Sequence, residues 1–221
     1  MSMNLTKDNA LSSVIAKHIT EQIMTGELKP GQKLVEHLYA EEYGTSRAPV
    51  REAIYLLTIE GLVERIPRKG AIVKGYTESE VYDLLEIRIM LEALAMKRIQ
   101  ENGINADSLK EMESILAEME KETNHTNYTQ LNHSFHTALI KMSQSEVIKN
   151  NYVRIEQPLL TIQNLSFSVE GNIDKSVKEH RMLVKLLKTG KFKEADSLLH
   201  KHNHDVIVSI QNQLLKDKEE E

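Results

Sequence analysis

The fold turns on one stretch, Glu36-His37-Leu38-Tyr39-Ala40-Glu41-Glu42-Tyr43-Gly44-Thr45-Ser46-Arg47-Ala48-Pro49-Val50-Arg51-Glu52-Ala53-Ile54. Within it Ala40, Gly44 and Val50 share one register, and each has a steric task. Ala40 is small enough for two helices to approach, Gly44 can take the positive φ that a sharp bend needs, and Val50 fastens the second helix to a core. The reading is a short helix over about 36–43, a tight connection through Gly44-Thr45-Ser46, and a second helix over about 47–60. Ser46 is placed to cap that second helix, and Pro49 falls in its first turn, where a missing amide proton costs little.

Working outward, Leu11, Ile15, Ile19 and Ile23 lie on one helical stripe that ends before Gly26, which predicts a helix over 9–25. Lys33-Leu34-Val35 is long enough only for a small strand or an extended lead-in. Leu62 to Ile66 and Ala71 to Val73 are β-prone and flank the turn Pro67-Arg68-Lys69-Gly70, which predicts a hairpin. Two helices joined by a glycine turn, with a basic hairpin behind them, describe a winged helix-turn-helix. With its second helix in a DNA major groove, Arg47, Ala48 and Arg51 would face base edges. Ser46 or the helix N-terminus could hold a phosphate, and Lys69 and Gly70 at the hairpin tip could reach the backbone or minor groove. An isolated Arg-x-x-x-Arg more often solvates a helix face; the register, the capped helix and the basic hairpin together favour the DNA reading.

The 221 residues carry a net charge of −5, with 40% hydrophobic and 28% charged residues, as in a soluble globular protein. The charge is divided along the chain. Residues 1–75 hold 10 Lys+Arg against 9 Asp+Glu, whereas residues 76–221 hold 18 against 24. The more neutral part also holds the basic run from Arg47 to Lys74, so a local basic patch is compatible with an acidic whole. No apolar run exceeds the five residues Ala53 to Leu57, far short of a membrane span. The N-terminus lacks the apolar core of a secretory signal, so a cytoplasmic location is expected. There is no cysteine, which leaves histidine to carry any transition-metal chemistry. The boundary expected near residues 75–78 gives two domains, 1–75 and 76–221.

The second of these contains about six helical stretches, at 77–101, 105–123, 127–142, 145–168, 173–189 and 191–216, with strand signals essentially missing. An all-helical bundle follows, with Pro158 expected to kink the fourth stretch. At 100° per residue, Asn132 and His136 lie one turn apart at the edge of an apolar stripe formed by Leu131, Phe135, Ala138 and Met142. His180 lies in the middle of its stripe, and His202 shares a face with Ala195, Leu199 and Val206. His200 and His204 turn away. Three inward histidines and an amide oxygen could converge on one metal ion, although each histidine alone is more often a hydrogen-bonded core residue. A metal-dependent hydrolase would also need a general base, and Glu179 should point about 100° away from its neighbour His180 on a helix. No catalytic residue is assigned, and an enzyme is not expected.

Two resemblances sharpen this. The segments Gly26-Glu27-Leu28-Lys29-Pro30-Gly31-Gln32-Lys33-Leu34, Ser46-Arg47-Ala48-Pro49-Val50-Arg51-Glu52-Ala53-Ile54 and Glu60-Gly61-Leu62-Val63 resemble the DNA-binding signature of the GntR transcriptional regulators. The resemblance implies that Arg47 and Arg51 read bases, that Gly70 at the wing enters the minor groove, and that two copies bind a palindromic operator. Where some members have arginine this chain has His37, so that contact is expected to be weaker, pH-sensitive or absent. The pieces Glu86-Ile87-Arg88 with Leu91-Glu92, Asn132-x-x-Phe135-His136, Glu179-His180-Arg181 and Ala195-x-x-Leu198-Leu199-x-x-His202 are similar to the FCD effector domain of the FadR subfamily. That resemblance implies a divalent transition metal (zinc, nickel or manganese) on Asn132, His136, His180 and His202, with a small carboxylate effector completing its coordination. Many members have aspartate where this chain has Asn132. Three neutral imidazoles and an amide leave the charge of the ion uncompensated, which favours an anion. Arg88 either points inward as a clamp on that anion or pairs with Glu92 at i,i+4 on the surface. The expected function is a ligand-responsive, homodimeric transcriptional repressor. A metal-dependent hydrolase with an accessory DNA-binding domain, and a regulator without metal, are the alternatives.

Overall fold

The structure is a computed structural model that describes residues 5–219, and the side chains of residues 11–213. Two compact units meet between Tyr76 and Thr77. Among the described residues there are ten helices and three short strands, and no helix is long and apolar enough to cross a membrane.

The first unit contains α1 (Leu5–Met24), β1 (Lys33–Leu34), α2 (Glu36–Glu42), α3 (Arg47–Ile59), β2 (Val63–Ile66) and β3 (Gly70–Val73). Ile15, Ile19 and Ile23 of α1 are buried against Val50, Ala53, Ile54 and Leu57 of α3, with Leu34, Leu62 and Val73 closing the core. The hairpin forms as expected, in the register Val63↔Val73 and Ile66↔Gly70. β1 then adds to its other edge, so β3 is central and the order is β1-β3-β2. Gly70 has φ +92, and the preceding turn holds Arg68 at φ 68. The bend between α2 and α3 closes by two backbone bonds, Thr45 N to Ala40 O at 2.9 Å and Gly44 N to Glu41 O at 3.1 Å. This is the paired pattern that ends a helix on a left-handed residue, and Gly44 at φ +57 is that residue. Ala40 and Val50 are buried on either side of it. One local expectation needs correction: Ser46 occupies the N-cap position of α3 with extended backbone, but its side chain makes no capping hydrogen bond.

The second unit contains seven helices where six stretches were expected: α4 (Glu78–Asn102), α5 (Ala106–Met119), α6 (His125–Met142), α7 (Glu146–Arg154), α8 (Glu156–Phe167), α9 (Asn172–Lys188) and α10 (Phe192–Glu219). The difference lies at Pro158. A proline ring inside a helix strikes the carbonyl four residues back, here that of Arg154, so the stretch breaks rather than bends. Ile155, at φ −102 and ψ 4, ends α7 and opens α8, which leaves Pro158 in the first turn of α8 where it costs little. α4 starts on a capping box in which Thr77 and Glu80 bond each other's backbone amides. α6 lies among α4, α5, α7 and α8, and its Tyr128, Phe135, Leu139 and Met142 pack with Met112 and Leu116 of α5 and Leu183 and Leu187 of α9. This packing turns the polar residues of α6 toward α4, α8, α9 and α10.

Gly44→Val forces a β-branched side chain into a left-handed backbone, with an expected loss of about 1–2 kcal/mol in chemical unfolding. Gly44→Asn, which tolerates that region, is expected to lose less; equal stability of both variants and wild type would show that the bend is not fixed by its φ.

Candidate functional site

On the first unit, Arg47, Ala48 and Arg51 are exposed on α3 together with Glu52. Tyr55 and Ile59 continue the same face and are 53% and 66% exposed, a large apolar extension that the sequence reading did not single out. The spacing 48, 52, 55, 59 was the available signal, because it marks one helical face opposite the buried one. The Arg51 guanidinium is held over the start of α2 by Glu36, with Nη2 donating to Oε2 at 3.1 Å and Nε donating to Oε1 at 3.4 Å. His37 is exposed beside Glu36, and Ser46, Lys69 and Gly70 are exposed. Pro49 is not: it is buried with Val50, so it shapes the first turn of α3 from within the fold and presents nothing at the exposed face.

On the second unit, His136 of α6, His180 of α9 and His202 of α10 come together, buried, with ligand atoms within 4.8 Å of one another. His136 Nε2 and His180 Nε2 are 3.2 Å apart. Each ring is approached from behind at Nδ1. His202 Nδ1 lies 2.7 Å from Glu179 Oε2, His180 Nδ1 lies 3.5 Å from Ser176 Oγ, and His136 Nδ1 lies 3.1 Å from Glu92 Oε1. Where Nδ1 carries the proton, Nε2 keeps its lone pair for a ligand. His202 Nε2 and Asn132 Oδ1 are buried and have no hydrogen-bond partner among the described residues. The amide of Asn132 is turned by Gln163, whose Oε1 accepts from Nδ2 at 3.4 Å. These unpaired acceptors belong to the donor set a divalent cation uses, so the residues present fit such an ion. His200 and His204 are exposed and take no part.

Arg88 points inward, but the pairing with Glu92 also forms, so the two expected readings merge: the i,i+4 pair lies inside the bundle and not on its surface. Its Nε donates to Glu92 Oε1 at 2.8 Å with both side chains buried, while its Nη2 has no hydrogen-bond partner among the described residues. Glu92 also accepts from Tyr152 Oη at 3.1 Å and from Asn203 Nδ2 at 2.6 Å. Sequence reasoning missed Glu92, Tyr152 and Asn203 as members of the site. The signal for Glu92 was its helical phase, which it shares with Leu85, Ala95, Met96 and Ile99 of the buried face of α4. Neutral ligands do not leave an ion uncompensated here, because carboxylates stand behind two of the three rings and Arg88 offsets only one of them.

Burial disfavours the charged ring and pushes the pKa of His136 down to about 3, although the Glu92 carboxylate works in the other direction. Burial, with His202 and His136 beside it, holds His180 well below its ordinary value. Burial alone would raise the Glu92 carboxyl, but the Arg88 guanidinium and His136 keep it well below the usual carboxylate range. At neutral pH His136 and His180 are therefore neutral, with the Glu92 carboxylate ionised behind His136. A cavity of about 30 Å³ reaches His202, Glu179 and Ser176 from between α9 and α10, room for roughly one water.

Comparison with known proteins follows this geometry. Residues 11–73 match the family described as "Bacterial regulatory proteins, gntR family", and residues 83–205 match the FCD domain. The chain is 30% identical over 193 residues to an uncharacterized HTH-type transcriptional regulator, YdhC, of Bacillus subtilis, covering 85% of each. It is 24% identical over 210 residues to the gluconate operon transcriptional repressor of Bacillus licheniformis, covering 90% of this chain and 84% of that one. Among solved structures it shares its fold with E. coli McbR/YncC, with a TM-score of 0.73 at 19% identity, over 92% of this chain and 98% of that chain.

The buried rings make a pH prediction. Above pH 6.5 the folded and unfolded states bind the same number of protons at His136. Between that value and about 3 the unfolded chain binds one more, so the stability present at neutral pH is lost as pH falls. Urea unfolding of metal-free protein is expected to weaken by about 1.4 kcal/mol per pH unit for each such ring below pH 6.5, and less steeply in His136→Gln. A wild-type chain as stable near pH 5 as at neutral pH would contradict this.

Proposed function

We propose a mechanism for a chain that belongs to the GntR family of bacterial regulatory proteins, with an FCD domain behind its DNA-binding domain, and that is a DNA-binding transcriptional regulator rather than an enzyme. The FCD domain holds a divalent metal and a small carboxylate effector, and the effector changes the affinity of the first domain for a palindromic operator. The single observation that carries this reading is the convergence of three buried imidazoles with ligand atoms within 4.8 Å of one another, together with a buried, unpaired Asn132 oxygen one turn before His136 on α6. The function of a relative, repression of a gluconate operon, supports the choice of repressor and of a carboxylate.

His136, His180 and His202 would supply three nitrogen ligands and Asn132 an amide oxygen. Bound there, the ion supplies a positive centre that draws a carboxylate oxygen. Arg88 Nη2 is the free donor that would hold the other oxygen, because Glu92 accepts from Nε and not from Nη2. The cavity beside His202 is too small for more than a water, so a carboxylate displaces side chains as it binds. Such displacement is what lets a ligand favour one conformation over another; a ligand that fitted both states equally would shift nothing.

At the operator, Arg47 and Arg51 of α3 read guanine edges, Ala48 meets a thymine methyl, and Ser46, His37, Lys69 and Gly70 contact backbone or minor groove. Pro49 contributes only by fixing the first turn of α3. Glu36 holds the Arg51 fork so that less freedom is lost when it docks on a base. Two copies act together. Ile87, Met90 and Leu94 of α4 are 43%, 65% and 45% exposed at i, i+3 and i+7, an apolar stripe suited to self-association.

Arg51→Ala is expected to lower affinity for a selected operator by about 1–3 kcal/mol in an anisotropy titration while leaving nonspecific binding nearly unchanged. Equal loss on all sequences would make Arg51 a phosphate contact instead. For the metal, elemental analysis of purified protein is expected to find about one divalent ion per chain. Chelation is expected to lower Tm, and free ion at about 100 times its Kd to restore about 2.7 kcal/mol. Asn132→Asp is expected to tighten the ion and His180→Ala to abolish its effect on Tm. A Tm indifferent to metal in both wild type and Asn132→Asp would favour a regulator whose histidines are only a polar core.

A further inference from the structure

Glu92 sits where polar groups from four helices meet. Its carboxylate is 0% exposed, accepts hydrogen bonds from Arg88 of its own α4, Tyr152 of α7 and Asn203 of α10, and lies 3.1 Å from Nδ1 of His136 on α6. An ionised carboxylate only accepts hydrogen bonds. A proton on His136 facing Glu92 must therefore sit on Nδ1, and the lone pair must then sit on Nε2, the atom 3.2 Å from His180 Nε2.

We propose that Glu92 is a positioning residue for the metal centre: it fixes the tautomer of His136 with Nε2 free for the ion, and thereby sets the metal affinity of the whole cluster. The inference rests on the metal-binding reading given above. Three features support it. Arg88 Nε at 2.8 Å and Tyr152 Oη at 3.1 Å both donate to Oε1, so the oxygen that faces His136 acts as an acceptor and does not reverse the assignment. Tyr152 and Asn203 hold its two oxygens from opposite helices, so the carboxylate has no room to swing away from His136. The rest of the proton arrangement also closes. With His136 Nε2 an acceptor, His180 Nε2–H donates to it, and the Ser176 hydroxyl can donate to His180 Nδ1 at 3.5 Å. In this arrangement only His180 must give up its Nε2 proton when an ion enters, and His136 Nε2 is open to the ion from the start. The Nδ1–H of His136 is turned off the line to Oε1 here, at 3.1 Å, so the tautomer is open to direct measurement.

A purely structural role for the Arg88–Glu92 pair would stabilise the bundle without moving either the tautomer or the metal affinity, and that is the distinction to test. The full chain, labelled with ¹⁵N-histidine and prepared without metal, is examined by two-bond ¹H–¹⁵N spectra and then titrated with Zn²⁺ against a chromophoric chelator. The expected result is His136 protonated at Nδ1 in the wild type, and a loss of zinc affinity of about 10–100-fold in Glu92→Gln, with its His136 signals moving toward the Nε2–H form. Removing one partner of a buried pair leaves the other charge uncompensated, so Glu92→Gln can fail to fold. Arg88→Met/Glu92→Met removes both charges together and is expected to show the same loss of zinc. His136 found as the Nε2–H form in the wild type, or wild-type zinc affinity in either variant, overturns the proposal. A wild-type chain that takes up no zinc overturns the metal reading itself, and that result is seen before any variant is made.

Discussion

Everything in the second domain follows from one constraint: three imidazoles are buried in a helical bundle, where a charged ring is expensive and an unpaired ring nitrogen is nearly as costly. Burial pushes His136 and His180 toward the neutral form. Neutrality leaves each ring one donor and one acceptor. The bundle places Glu92, Ser176 and Glu179, on α4 and α9, behind the three rings at Nδ1 and leaves His136 Nε2 and His180 Nε2 facing one another. A core selected for stability alone would fill that space with apolar side chains, as the neighbouring cluster of Phe135, Leu139, Leu183 and Leu187 does.

The first domain depends on a different, purely local constraint. The exposed face of α3 is presented by a bend that only a left-handed residue can make, between two small or β-branched residues that are fully inside. Because those demands act over about ten residues, they are written in the sequence as spacing, and the helix-turn-helix and its wing were legible there. The cap at Ser46 was not, since a hydroxyl at an N-cap can bond the helix or remain outside it with little local difference. Pro158 was legible as an interruption, but whether a proline kinks or breaks a helix depends on what the neighbouring helices can cover.

The histidines were legible for the same reason as the core: helical phase at 100° per residue decides which side chains face inward. What phase alone did not give was partnership. Glu92 shares the inward phase of α4, yet its i,i+4 relation to Arg88 also fits a surface pair, and only the arrival of Tyr152 and Asn203 from sequence-distant helices makes the interior tolerable for both. Glu179 was set aside because it points away from its neighbour His180. That same rotation aims it at His202 on α10, where it orients a ring instead of acting as a base. Residues that act through another residue leave little trace in one sequence, because their role is defined by a contact between helices.

The coordination of a bound ion tests the three-histidine centre most directly. X-ray absorption at the zinc edge of the zinc-loaded full chain should show scattering from three imidazoles at about 2.0–2.1 Å, with the remaining first-shell atoms oxygen. A spectrum with one imidazole or none would contradict it.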